Sequence, residues 1–223
     1  MGTNSFSIKQ ALGFGFEKWR ENFWFLLGVT LFVFLVPALP GIVASHYFGI
    51  PEKGTQISTL FVHFVHAILR IAFHLGFINT ALKMSDNKRG QFSDLFSNIR
   101  YFFPFLVSSL LLGIMVLVGM LLFIIPGLIV AVRFYLFGYA MIDKGLGPMA
   151  SLKESATITS GQVFHRFLFS LVLMLINVAG ILLLGFGLLA SVPISALATA
   201  HIYRQLQGET ERGAQSSISS LHP

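Results

Sequence analysis

From Phe167 to Tyr203 the chain runs 37 residues without an Asp, Glu, Lys or Arg, and from Tyr101 to Ile142 it runs 42 with Arg133 alone. About 20 apolar residues suffice to carry a helix across roughly 30 Å of hydrocarbon. Such a helix satisfies its backbone N–H and C=O groups internally, which a bilayer demands. Charged residues make up 11% of the 223, against roughly 25% in soluble domains. The 24 Phe suit lipid-facing and interfacial surfaces, and the absence of Cys removes disulfides and thiolate metal sites. The expected fold class is an all-α integral membrane protein.

Phe23–Ala44 makes one span and Thr59–Leu82 a second. The 42-residue run is cut by Pro126-Gly127, a pair that ends helices, which gives spans at 102–125 and 127–143. The 37-residue run is interrupted by Gly185, Gly187 and Pro193, which gives 167–185 and 187–204. Six spans therefore form a single membrane domain over residues 1–206. In that topology one side carries 12 of the 15 basic residues, including Lys83, Lys144, Arg204 and Arg212, while the opposite side holds Lys53. Basic residues mark the cytoplasmic side, so both termini are expected there. The first apolar run is long enough to act as an uncleaved anchor. The polar segment 207–223 is expected to be a disordered cytoplasmic tail.

SIKQALGFGFEKWRENF (7–23) aligns without a gap on SLKESATITSGQVFHRF (151–167), and FSDLFSNIRYFFPF (92–105) is a shorter version. The pattern reads as three copies of one unit, a leading helix followed by a two-span hairpin. The leading helices are placed at 6–22, 92–101 and 148–160, the last opened by Gly147-Pro148. Ile8, Leu12, Phe16, Trp19 and Phe23 step by three or four residues, as do Phe92, Leu95, Phe96, Ile99 and Phe103. That spacing puts an apolar stripe opposite the charged residues and suits a helix lying at the headgroups. Lys9, Lys18, Trp19, Arg20, Lys88, Arg89, Arg100, Lys153 and Arg166 are the expected interfacial residues. Each basic residue near an anionic leaflet contributes about 1 kcal/mol of attraction.

The second span carries VHFVHAILRIAFH (62–74). At 100° per residue, His63, His66, Arg70 and His74 fall on one stripe, which must face the bundle or a cavity. Arg70 and Arg133 both fall near mid-membrane, and an ionisable residue there is a candidate site with a partner to be named. No Asp or Glu lies within any span, so that partner must be Ser or Asn (Ser108, Ser109, Ser170, Asn177 and Ser191 are the candidates), a helix-end carbonyl, water or an external anion. Metal is disfavoured, because His63 and His66 lack a carboxylate or thiolate companion and Arg70 repels cations. The chain lacks HExxH, GxSxG, P-loop and GxGxxG signatures, so an enzyme is not expected. No cofactor or nucleic-acid partner is expected. Ser191, Ser195 and Thr199 form a small-residue ladder that lets helices approach closely.

IIPGLIVAVRFYLFGYAMIDKGLGPMASLKESATITSG (124–161) resembles the signature region of the YciC-like six-span bacterial membrane proteins. That group is similar to the membrane domain fused ahead of some glycerophosphodiester phosphodiesterases. Pro126-Gly127, Arg133, Asp143, Gly147-Pro148 and Ser155 carry the likeness. It implies a bacterial inner-membrane location and six helices, and it brings no activity. The expected role is a non-enzymatic scaffold or partner-binding subunit, with anionic lipid at its cytoplasmic face and a homo-oligomer or membrane-protein partner. The alternative is a transporter or channel for a small anionic or lipid-like solute, with Arg70 and Arg133 lining its route.

Overall fold

The computed structural model describes residues 6–47, 56–183 and 185–219. Among these residues the chain is all helical: α1 (Ile8–Glu21), α2 (Phe23–Tyr47), α3 (Gln56–Ser85), α4 (Phe102–Leu122), α5 (Ile124–Phe134), α6 (Phe137–Lys144), α7 (Pro148–Ile158), α8 (Val163–Leu182) and α9 (Leu188–Ser219). Five stretches are long and apolar enough to cross a membrane: Phe23–Val43, Leu60–Ser85, Phe92–Leu122, Ile124–Lys144 and Val163–Leu182. Apolar side chains such as Leu110, Leu117, Leu121, Met174 and Leu182 stand exposed along them. A soluble protein rarely presents so large an apolar surface.

The sixth expected span, 187–204, is not among the five, and its environment explains why. Within α9, Leu197, Ala198, Thr199, Ala200, Ile202, Tyr203 and Leu206 are almost wholly buried. A helix enclosed by its neighbours has no need to match lipid, so Ser191, Pro193, Ser195, Thr199 and His201 are tolerated. The core is assembled around this helix: α1 packs along one side, with α3 and α8 against the others. Close approach makes this possible. A Cβ on Gly15 would lie 2.7 Å from the Ile194 carbonyl oxygen, and one on Gly180 would lie 2.7 Å from Ser191 Oγ.

Three expectations are corrected. The break between the third and fourth spans falls at Phe123, whose extended backbone (φ −162°, ψ 150°) separates α4 from α5. Pro126 and Gly127 lie in the first turn of α5. At the third helical position, where Pro126 stands, an N–H would have no intrahelical partner, so proline loses nothing there. Gly127 instead lets α5 press on α4, since a Cβ there would meet the Met120 backbone nitrogen at 2.8 Å.

The leading helix expected at 92–101 is a pair of 3₁₀ turns, Phe92–Leu95 and Ile99–Tyr101. Asp94 is the reason. Its carboxylate accepts from the Gln91 backbone N–H at 2.9 Å and pairs with Lys83 of α3, while Asn79 donates to Ser97. These bonds pin the segment to α3 in place of a free amphipathic helix.

The tail expected to be disordered continues α9 as far as Ser219. Gln162 donates to Glu209 at 2.7 Å and Thr210 Oγ1 to the Leu206 carbonyl, which extends the helix beyond the bundle. Residues 220–223 of the expected tail lie outside the described residues.

α1 and α7 are leading helices of different kinds. α1 is capped by Ser7, which accepts from Gln10 N–H, and buries Ala11 and Gly15 against α9. α7 starts at Pro148 with Gly147 as its N-cap and buries Ser151, Leu152, Ser155 and Ile158. Both brace the bundle through their inner faces.

Candidate functional site

The described residues enclose a cleft of about 870 Å³ between α2 and α3, closed further in by Phe105 of α4 and Val192 of α9. α3 supplies His66, Arg70 and His74, at spacings of four, so that all three project from one face of the helix. α2 supplies Thr30, Val33, Phe34 and Pro37. The remaining wall is apolar: Ile71, Phe77, Phe105 and Val192. The His74 ring leans on Phe105 at 5.7 Å between centroids.

The polar groups in this wall are short of partners. The ion pairs among the described residues are Lys18–Glu21, Lys83–Asp94, Lys144–Glu154, Arg204–Asp86 and Arg204–Asp143, so Arg70 has no counter-ion. Thr30 is 1% exposed and its hydroxyl has no hydrogen-bond partner. A buried hydroxyl in that state costs about 1–3 kcal/mol. Pro37, lacking an N–H, leaves the Val33 carbonyl without its helical donor. One cation, two imidazoles, an unpaired hydroxyl and a freed carbonyl therefore meet in an apolar cleft that no carboxylate lines. Such a wall can neutralise an anionic group and accommodate hydrocarbon beside it. Among the described residues no group of three or more His, Asp or Glu could hold a metal ion.

Other candidate residues lie elsewhere. His63 is exposed on the preceding turn of α3 and is not part of the cleft wall. Arg133 is exposed at the end of α5, away from the cleft. Its backbone carbonyl accepts from Ser155 Oγ at 3.0 Å, and Ser155 Oγ accepts from Leu136 N–H at 3.1 Å, so α7 staples the break between α5 and α6. Asn177 is committed to packing: it donates to the Leu173 carbonyl and to Ser195 Oγ, and accepts from Ser191. Thr199 donates to the Ser195 carbonyl. The ladder is therefore a hydrogen-bonded seam between α8 and α9. Lys9, Arg20, Lys88, Arg89, Arg100 and Lys153 are exposed, Lys18 pairs with Glu21, and Trp19 packs edge-on to Phe23 at 5.1 Å. Arg166, expected at the interface, is completely buried.

Sequence reasoning missed two features. Thr30 and Pro37 belong to the cleft, and both were visible as departures from the first apolar run. A charged cluster also joins the ends of α3 and α6 to the middle of α9. Arg204 forks onto Asp86 with two bonds of 2.8 Å and reaches Asp143 at 2.7 Å, while Tyr203 donates to Asp143 at 2.9 Å.

No family model matches the chain, and no solved structure matches it. It is similar to uncharacterized protein Mb2590 of Mycobacterium bovis and uncharacterized protein Rv2560 of Mycobacterium tuberculosis. Each is 22% identical over 230 residues, covering 92% of this chain and 70% of the relative.

Proposed function

We propose that this chain is a non-enzymatic, six-span membrane protein that holds an anionic amphiphile in the cleft between α2 and α3. α9 acts as the sixth span, and both termini face the cytoplasm of a bacterial inner membrane. The observation that carries the reading is that the unpaired Arg70 and the partnerless Thr30 hydroxyl line one cleft with His66 and His74, between walls that are apolar elsewhere. An isolated cation in the hydrocarbon region is costly and calls for compensation. An anionic headgroup supplies it, with Thr30 donating to a second oxygen and the acyl chain lying along Phe34, Phe77 and Phe105. The volume falls within the range of small-molecule sites, roughly 300–1,000 Å³. The exposed basic residues at the cytoplasmic end would hold anionic lipid around the protein.

Native mass spectrometry of gently extracted protein tests this. The wild type is expected to retain an anionic lipid or amphiphile, and Arg70→Leu to lose about tenfold in occupancy, the value of one charge-assisted contact. Equal occupancy in the two proteins would sink the proposal.

Passage of the anion, rather than storage, is the second reading. Pro37 and Pro40 inside α2 favour it, because they remove two ladder bonds and make that wall of the cleft flexible. Flux into liposomes that Arg70→Leu abolishes would select it over storage. Intact binding without flux would select storage.

A further inference from the structure

The Arg166 side chain is the largest among the fully buried ones, with 0% exposure, and neither Nε, Nη1 nor Nη2 has a hydrogen-bond partner. The groups around it are aromatic. Its guanidinium lies 5.5 Å from the Phe169 ring centroid and 5.8 Å from that of Tyr135, and Tyr139 is the other titratable group facing it. Among the described residues no carboxylate pairs with it.

A guanidinium brings five N–H donors and no acceptor. Two aromatic faces return only part of what an uncompensated buried charge costs. The imbalance points to an acceptor that the protein itself does not supply. Placement says which kind. Arg166 sits on the first turn of α8, whose N-cap Gln162 makes no side-chain capping bond, so free backbone N–H groups lie at that end. Helical side chains lean towards the N-terminus, so the Arg166 stem starts out towards that turn. Gln162, four residues earlier and about 6 Å back along the axis, bonds Glu209. The cation therefore stands at the first turn of the apolar stretch Val163–Leu182, close to its end.

We infer that Arg166, with the first turn of α8, is a second anion site, distinct from the α2–α3 cleft, that takes a phosphate-type group. Tetrahedral oxygens match several donors of the fork at once. Tyr135 forms the outer wall. It is 53% exposed, whereas Arg166 is sealed, and it sits at the break between α5 and α6. An anion would reach the guanidinium by rotation of the Tyr135 ring. A lipid headgroup and a free phosphate present the same recognising chemistry, and the probes below distinguish them.

The test compares wild type, Arg166→Met, Arg166→Lys and Arg70→Leu, each delipidated in neutral detergent. The probes are phosphatidylglycerol, phosphatidylcholine and inorganic phosphate, followed by thermal unfolding and by lipid adducts in native mass spectra. Phosphatidylglycerol, but not phosphatidylcholine, is expected to raise the wild-type midpoint. Arg166→Met is expected to bind it about tenfold more weakly or worse, and Arg166→Lys to fall between, having lost the fork. Without lipid, Arg166→Met is expected to melt no lower than wild type, because it removes an uncompensated charge. Arg70→Leu is expected to lose the cleft's share of the response and to keep the share that Arg166→Met removes, which separates the two sites. Stabilisation by phosphate alone identifies a free anion, and stabilisation by the lipid alone a headgroup. If neither probe stabilises the wild type, or if Arg166→Met melts lower yet responds to lipid as before, the guanidinium is structural and the inference is overturned. Should Arg166→Met fail to fold, a wild-type-like response from Arg166→Lys does the same.

Discussion

Gly76→Val is expected to lower the unfolding midpoint of the detergent-extracted protein sharply and to release the 92–101 segment from α3. Gly76 lies inside α3 and faces the first 3₁₀ turn. A Cβ there would come within 2.3 Å of Leu95 Cα and 2.4 Å of its carbonyl oxygen. These are backbone atoms, so no side-chain rotation relieves the clash. The turn cannot retreat easily, because Leu95 is 2% exposed and its neighbour Asp94 is held by Lys83 and by the Gln91 N–H. Overpacking of this kind costs about 1–3 kcal/mol for one added methyl, and Val adds three carbons to the same space. Gly113→Ala is the control. Nothing lies within 4 Å of a Cβ at Gly113, so the gain in helix propensity, up to about 1 kcal/mol, stands unopposed. Thermal unfolding should move in opposite directions for the two variants. Trypsin cleavage at Arg100 should accelerate only in Gly76→Val. A midpoint within error of wild type for Gly76→Val would mean that the 3₁₀ segment does not rest on α3.

The membrane-crossing stretches are legible because the bilayer writes them at low resolution, as about 20 residues of uniform chemistry. α9 is harder for the same reason. Enclosed by protein, it answers to its neighbours, and its serines and threonine read equally as weak hydropathy or as a packing seam. The alternation of His66, Arg70 and His74 at four-residue spacing shows a polar stripe, but the stripe's counterpart lies on another helix. Thr30 and Pro37 come near it only through tertiary packing, which no local pattern encodes. The 92–101 segment has the three-and-four spacing of an amphipathic helix. What overrides it is one long-range contact, Lys83 to Asp94, together with the Gln91–Asp94 cap. Arg166 misleads in the opposite sense. A basic residue at the mouth of an apolar run normally reaches for water, and its burial follows from how α5 and α8 meet.

Arg204→Met is expected to loosen the end of the bundle where α3, α6 and α9 converge, at a cost of about 2 kcal/mol. Arg204 holds Asp86 through Nε and Nη2 and Asp143 through Nη1, and also donates to Gln207 at 3.2 Å. Asp86 follows α3, Asp143 lies on α6 and Arg204 is on α9, so one planar fork ties three elements distant in sequence. The side chains are 27%, 31% and 15% exposed for Arg204, Asp86 and Asp143, which places the cluster between a surface pair and a fully buried one. Breaking a buried pair costs about 3–5 kcal/mol and exposed pairs contribute up to about 1, so the intermediate value follows. Arg204→Lys should recover less than half of the loss, because an ammonium cannot make the two parallel bonds to Asp86. Arg212→Met, whose guanidinium reaches only the Gly208 carbonyl, should be silent. The decisive comparison is the triple variant Asp86→Asn, Asp143→Asn, Arg204→Met. Most of the penalty in Arg204→Met comes from stranding two carboxylates against each other, and neutralising them removes that repulsion while Tyr203 can still donate to position 143. The triple variant should therefore melt above Arg204→Met in thermal denaturation. If it melts no higher, repulsion between the stranded carboxylates is not what costs Arg204→Met its stability; the loss is then the attraction Arg204 itself supplied, and the cluster is a source of net stability rather than a lock against misalignment.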